Sequence, residues 1–493
     1  MPGDGTGTTS PAADGGAEPE PSGDDDSTGA SGAEPGEDTD GPSDDTGQPP
    51  PIDPPHADEA RAALSEALGF YRTLNHHGGW VWTYAEDLSR SWGEGEATTD
   101  QLWVQPPGTP AIGMVYLRAY WATGDAEYLE TATDAAAALR YGQLESGGWT
   151  NAVDFDPQGD WAAEYRNGMS SGKNNSSLDD DITQSALRFL IAVDAETGDA
   201  TNAEAVTYGL DALLDAQFAS GGFPAIWDGG GVLDLPVLPA TISLPYPTVP
   251  NGGDYWDYPT LNDNLAGNVA KTLVTAYEVY GDTRYHDRAV ALGEFLLLAQ
   301  LPSPQTGWAQ QYNAQMEPGW ARVFEPPAVT GSESQDVMET LLLVYELSGD
   351  SRYADAVATA LEYFQGNLLP NRQLARFYEL GTDLPLYFTT DYELTYDDSD
   401  LPGHYGFKIT SRLDAIEQEH ARVVAGAPPP SPDASALEAR ALEVIDTLDD
   451  QGRWVDYDVK IASGIPQGDY IRSVTFVDNC EALLDYLNAP QLP

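Results

Sequence analysis

The sequence has 493 residues, with 80 acidic and 22 basic side chains and a net charge of −58 at neutral pH. Such a surface repels nucleic acid and anionic lipid, so neither is expected as a partner, and the acidity itself reads first as a device for solubility. The single cysteine, Cys480, excludes an internal disulfide and a cysteine-built metal centre, and no apolar run is long enough to span a membrane as a helix.

Residues 1–55 are almost wholly Gly, Pro, Ser, Thr, Ala, Asp and Glu, without Lys or Arg. They cannot bury enough apolar surface to offset the entropy of ordering, and are expected to form a disordered tether. No signal-peptide pattern opens the sequence. The tether is similar to the stretch that follows a removed export or lipoprotein signal, so a secreted or surface-tethered protein is expected.

Helical periodicity begins near His56, and a repeat follows. Its first mark is a Gly-Asp pair at Gly124-Asp125, Gly198-Asp199, Gly281-Asp282 and Gly349-Asp350, at spacings of 74, 83 and 68 residues. Its second is a Gly-aromatic pair at Gly79-Trp80, Gly148-Trp149, Gly222-Phe223 and Gly307-Trp308, with Arg453-Trp454 as a late, degraded copy. Between the marks the apolar residues run at helical spacing, as in Ala186-Leu187-Phe189-Leu190-Val193 and Leu341-Leu342-Val344-Tyr345. The unit is helix, Gly-Asp turn, helix, Gly-aromatic turn and long loop. Such pairs stack as a solenoid or close as a ring. About six of them between residues 57 and 488 predict an all-α chain, an α/α toroid that is incomplete or of six hairpins, whose long loops form a cleft. The longest interruption, residues 225–260, is expected to be a lid or cleft wall.

Four clusters carry chemistry. Leu178-Asp179-Asp180-Asp181-Ile182 opens a helix, and its carboxylates suit either a cap that complements the helix dipole or a hard-cation site. Tyr258-Pro259-Thr260-Leu261-Asn262-Asp263-Asn264 stands at the equivalent place of the next repeat, where the two can face one cleft. The loop Gly307 to Ser334 sets Arg322 among Trp308, Tyr312, Trp320, Glu325 and paired prolines. There the arginine either braces the loop against Glu325 or stands over a sugar subsite. The segment Arg376 to Lys408 interleaves cations and aromatics, as a wall binding uronates needs: flat faces for sugar rings and guanidinium forks for carboxylates. No His-x-x-x-His pair, Gly-x-Ser-x-Gly elbow or phosphate-binding glycine loop is present.

The blocks Asp179-Asp-Asp-Ile-Thr-Gln-Ser-Ala-Leu-Arg-Phe-Leu190, Ala216 to Pro224, Thr260-Leu-Asn-Asp-Asn264, Trp308-Ala-Gln-Gln-Tyr312, Trp320-Ala-Arg-Val-Phe-Glu-Pro-Pro327, Ser332-Glu-Ser334 and Ala375-Arg-Phe-Tyr-Glu379 resemble, in order, the signature of family 10 pectate lyases. The resemblance covers about residues 170–395. It implies one catalytic domain over 56–493, with 56–169 as additional N-terminal repeats and 170–395 as the lyase-like core. It further implies calcium-dependent cleavage of polygalacturonate by β-elimination. Arg322 matches the family's base at C5, Asp179 its cleft aspartate, Asp263 its calcium ligand and Arg376 a substrate-binding arginine. Asp179, Asp180 and Asp263 are the expected metal ligands. Trp308, Tyr312, Trp320, Asn262, Arg376 and Lys408 are the expected substrate contacts. The sequence departs from the family where Asp-Asn-Gly reads Asp179-Asp180-Asp181, where Asn-Asp-Asp reads Asn262-Asp263-Asn264, and where Thr390 replaces a second clamping arginine.

Two other readings stand beside this one. A toroid hydrolase needs an acid and a base about 6.5–9.5 Å apart if it inverts, which Asp180 with Glu325 or Glu333 can supply. A non-catalytic polysaccharide-binding surface protein needs neither. The partner expected throughout is an acidic polysaccharide, and the chain is expected to act as a monomer.

Overall fold

Each Gly-Asp pair turns one helix into the next. Gly124, Gly198, Gly281 and Gly349 all have φ between +61° and +72°, and their N–H groups close the preceding helix on the carbonyls of Tyr120, Asp194, Tyr277 and Tyr345. The aspartate that follows caps the next helix, its carboxylate accepting the N–H two residues on, at 2.9–3.0 Å. The left-handed conformation demands glycine, and the four orphan donors of a helix start favour aspartate. No atom stands within 4 Å of a Cβ built at Gly198, so Gly198→Ala is expected to cost about 1 kcal/mol through φ alone. Asp199→Ala should cost about as much through the lost cap. Chemical denaturation checks both.

The computed structural model describes residues 53–250, 255–461 and 465–488. The expected tether lies outside the described residues as far as Ile52. Among the described residues twelve α-helices follow in order: α1 Ala57–Arg72, α2 Thr109–Thr123, α3 Ala126–Tyr141, α4 Ile182–Thr197, α5 Ala200–Asp215, α6 Leu265–Tyr280, α7 Thr283–Ala299, α8 Gly331–Ser348, α9 Ser351–Gly366, α10 Leu413–Val424, α11 Ala434–Thr447 and α12 Ser473–Asn488. Helices α12, α2, α4, α6 and α8 pack side by side as an inner wall, which α10 continues against α8 and α9. Helices α1, α3, α5, α7, α9 and α11 lie outside it. This is the expected α/α toroid, and its six pairs match the expected number.

Burial follows the two layers. Outer α1 buries Ala57, Ala60, Ala63, Leu64, Ala67, Leu68 and Tyr71, one stripe at helical spacing. Inner α4 buries Ile182 to Leu187 without a break and then Phe189 to Ile191, as a helix covered on most sides must. The Gly-aromatic pairs tie rim to wall. The indole N–H groups of Trp80, Trp149 and Trp308 donate to Tyr71, Leu139 and Leu296 carbonyls near the ends of α1, α3 and α7, and Trp454 does the same to Val444 of α11.

The first and last described repeats meet. Strand Thr83–Ala85 pairs antiparallel with Gly468–Arg472, and α12 packs on both α1 and α2. Short antiparallel strands also link the rim loops, a feature the helical repeat does not announce.

Candidate active site

Two loops of the same shape bring the carboxylates together. In Leu178-Asp179-Asp180-Asp181-Ile182 and Leu261-Asn262-Asp263-Asn264-Leu265, single turns of tight helix precede α4 and α6. Asp180 and Asp181 have φ of 49° and 60°, and Asp263 and Asn264 have φ of 48° and 56°. Two consecutive left-handed residues that are not glycine cost about 1 kcal/mol or more each, and such strain concentrates where a site needs a fixed direction. The expected equivalence of the two clusters is therefore present in the backbone itself.

Asp179, Asp180 and Asp263 each offer a carboxylate oxygen within 4.8 Å of the others, which is the geometry for holding a hard cation. Burial and the charges of Asp263 and Asp180 push Asp179 up to about 8, and burial together with Asp263 pushes Asp180 up to about 6. Asp179 and Asp180, held from ionising by burial and by the neighbouring Asp263 charge, form with it a set that a divalent cation would relieve. Asn262 donates to Asp179 at 3.4 Å and to Asp263, while Gln310 donates to the Asn262 carbonyl at 2.7 Å. Asn262 thus orients the carboxylates from within the cluster. Gln105, from an earlier repeat, donates to Asp180 at 2.9 Å, a contact that the sequence gives no reason to expect.

Arg322 stands at the edge of this group, its Nη2 3.8 Å from Asp263. Glu325, only 2% exposed, accepts from Arg322 Nε at 2.8 Å and from its backbone N–H at 2.9 Å, and lies 2.7 Å from Nη2. Brace and cleft position, alternatives in the sequence, are both realised. Burial would lower the Arg322 pKa, but Glu325, Tyr405 and Asp263 outweigh it and raise the net value. The same contacts hold Glu325 below the usual carboxylate range against the effect of burial.

The network continues through Tyr405, whose hydroxyl donates to Glu325 at 2.9 Å and accepts from Arg376 at 3.1 Å. Arg376 also donates to Gly406 and lies 3.3 Å from Glu333. Glu333 is 2% exposed, burial pushes it up to about 7, and its Oε2 has no hydrogen-bond partner among the described residues. Gly331 sets the spacing here: its N–H donates to the Arg376 carbonyl, and a Cβ would lie 2.3 Å from the Ala375 oxygen. The sequence offered the Arg322–Glu325 pair, but not the link from it through Tyr405 to Arg376 and Glu333. That link shows only once the two loops and the start of α8, which carries Glu333, are folded together.

Several expected substrate contacts need correction. Trp308 and Tyr312 are fully buried. Trp308 is a packing post for α7, and the Tyr312 hydroxyl is used up on the Ala299 carbonyl and the Ala309 N–H. Aromatic residues beside a cleft look alike in sequence whether they face the core or the solvent. Lys408 pairs with Asp398 and lies 6.0 Å from the centre of the Tyr387 ring, so it does not join the Arg322 network. Trp320 is nearly buried, its indole donating to Pro247, and it forms a wall toward the 225–260 insertion. Thr390 hydrogen-bonds Asp400 at the surface, so no arginine fork stands there.

Comparison with known proteins adds the following. Residues 143–375 match the family model described as pectic acid lyase. A search of curated proteins finds no match. Among solved structures, a variant of the family 10 polysaccharide lyase from Cellvibrio cellulosa in complex with trigalacturonic acid is 18% identical, covering 65% of this chain and 98% of that one at a TM-score of 0.46. A D-mannose isomerase is 14% identical over 88% of this chain and 98% of its own at a TM-score of 0.48. Cellobiose 2-epimerase from Bacillus thermoamylovorans B4167 is 13% identical, covering 87% and 98%, at 0.47. At such identities and scores these structures carry nothing about activity.

Proposed function

We propose that this chain, whose residues 143–375 match the pectic acid lyase family model, is a pectate lyase-like polysaccharide lyase that cleaves pectate-like uronic-acid polymers by calcium-assisted β-elimination at the Asp179–Asp180–Asp263–Arg322 centre. The observation that carries this reading is the placement of Arg322 against a three-carboxylate cluster, within the matched residues.

The proton at C5 of a uronate lies α to a carboxylate and is only weakly acidic. Calcium held by Asp179, Asp180 and Asp263 would bind that carboxylate and draw charge away from C5. Arg322 would take the C5 proton, the electron pair left at C5 would form the C4=C5 double bond as the C4–O bond breaks, and the leaving oxygen would take a proton from water, so that one product ends in an unsaturated sugar. A free arginine is always charged, so Arg322 could act as a base only once a cation bound beside it offsets the carboxylates that hold its proton. Asp263 and Glu325 both favour the charged form, and the centre must first balance the carboxylates it gathers. Glu325 holds the guanidinium through the Nε–H donation and the Nη2 ion pair, so that little ordering is left for the reaction. Arg376, steadied by Glu333, Tyr405 and Gly406, has no hydrogen-bond partner for Nη2 among the described residues and turns it to a second uronate carboxylate. A polymer of this kind lies outside cells, which supports a secreted or surface-tethered protein.

The test is ultraviolet absorbance. Polygalacturonate with calcium should yield products carrying the unsaturated-uronate band, and a chelator should abolish them. New reducing ends without that band would replace elimination by hydrolysis. Binding without any cleavage would leave a polysaccharide-binding protein.

A further inference from the structure

The 225–260 insertion, described except for residues 251–254, is tied to its surroundings by hydrogen bonds. Its Ala240 and Thr241 N–H groups donate to Leu298 and Met316, Ser243 donates to Glu317, and the Trp320 indole donates back to Pro247. Between insertion and loop lies a cavity of about 760 Å³, a size suited to a small-molecule or sugar-ring site. Tyr246, Tyr255, Tyr258 and Trp320 contribute to its walls, and Asn313 and Glu317 add polar atoms. No lysine or arginine lines it among the described residues.

This cavity adjoins the reaction centre. Trp320 and Ala321 on its wall directly precede Arg322 in the chain. Tyr255 lines the cavity, and burial together with the charges of Glu325, Asp179 and Asp263, which Arg322 opposes, raises its pKa. A sugar chain that crosses the centre therefore has a neighbouring unit within reach of the cavity.

The lining decides what that unit is. Aromatic edges and faces take the apolar side of a pyranose, and side-chain amides and carboxylates bind its hydroxyls. A uronate carboxylate finds no cation there and meets the Glu317 carboxylate, which Ser243 and Asn313 hold ionised below its usual range. We propose that the insertion builds a subsite for an uncharged sugar unit of the polymer, set beside the uronate at the reaction centre. The inference rests on the lyase reading above for its polymer, but the selectivity it assigns is carried by the cavity alone.

The experiment compares three substrates: fully de-esterified linear polygalacturonate, partly methyl-esterified linear polygalacturonate, and a galacturonan bearing neutral pentose branches. The Tyr246→Ala/Tyr258→Ala double variant should lose about tenfold more kcat/KM on one of the last two than on the first, and the substrate affected tells an esterified backbone unit from a branch. Leu233→Lys, at an exposed position on the same wall, should shift preference toward the de-esterified polymer without disturbing the core. Equal losses on all three substrates, with no shift for Leu233→Lys, would overturn the subsite. Equilibrium binding of the neutral-branched oligosaccharide to Arg322→Ala, and its weakening by the double variant, reads the subsite without turnover. If no substrate is cleaved and that binding persists, the lyase reading fails and the subsite stands. If cleavage occurs and that binding is absent, the reverse holds.

Discussion

Arg322→Ala is expected to lower kcat on polygalacturonate by about 10³-fold or more while leaving the helical circular dichroism spectrum unchanged. A positioned general base is worth about 10²–10⁴-fold, and here the same residue also supplies charge beside the developing enolate. The fold should survive because Glu325 keeps two partners, the backbone N–H of residue 322 and the Tyr405 hydroxyl, each at 2.9 Å. Leaving a buried carboxylate with fewer donors costs about 1–3 kcal/mol, and the 41% exposure of the Arg322 side chain puts the cost at the lower end. Arg322→Lys restores charge but not the planar fork that Glu325 aligns, so it should recover little activity. An Arg322→Ala protein with undiminished product formation would remove this residue from the chemistry.

The second large effect is coupled to protons. Asp179, Asp180 and Glu333 titrate near 8, 6 and 7, each raised first by burial. In the unfolded chain carboxyl groups release their protons at about pH 4. Between about pH 4 and 8 the folded protein therefore binds more protons than the unfolded one, and stability falls as pH rises across that window. A divalent cation binds the deprotonated carboxylates and must displace those protons, so its affinity rises with pH over the same range. The melting temperature in chelator should thus fall from pH 5 to pH 8. Millimolar calcium should raise it far more at pH 8 than at pH 5. Asp263→Asn should abolish the calcium-induced shift, whereas Asp199→Ala, beyond the opposite end of α4 from the cluster, should lower the melting temperature and keep it. A calcium shift that is independent of pH, or that survives Asp263→Asn, would mean that the cation binds elsewhere.

The two centres of this protein differ in how they are recorded. The sequence by itself determined the repeat, because a left-handed C-cap admits little but glycine and a helix start selects aspartate. Four Gly-Asp pairs therefore announce four hairpins before any tertiary contact is known. It also determined the carboxylate cluster: Asp179–Asp181 and Asn262–Asn264 open equivalent helices, and neighbouring repeats in a ring place equivalent loops side by side. Only the tertiary structure decided which aromatics face the substrate. Trp308 and Tyr312 carry no sequence mark that separates a buried post from a sugar platform, and burial depends on the helices that close over them. Lys408 was lost to Asp398 for the same reason, since an ion pair depends on which loop lies opposite. The closure of the ring through Thr83–Ala85 and Gly468–Arg472, and the joining of Arg322, Glu325, Tyr405, Arg376 and Glu333 into one network, are likewise products of long-range contact. Local backbone preference is written residue by residue, whereas the pairing of distant loops is set by how the twelve described helices pack.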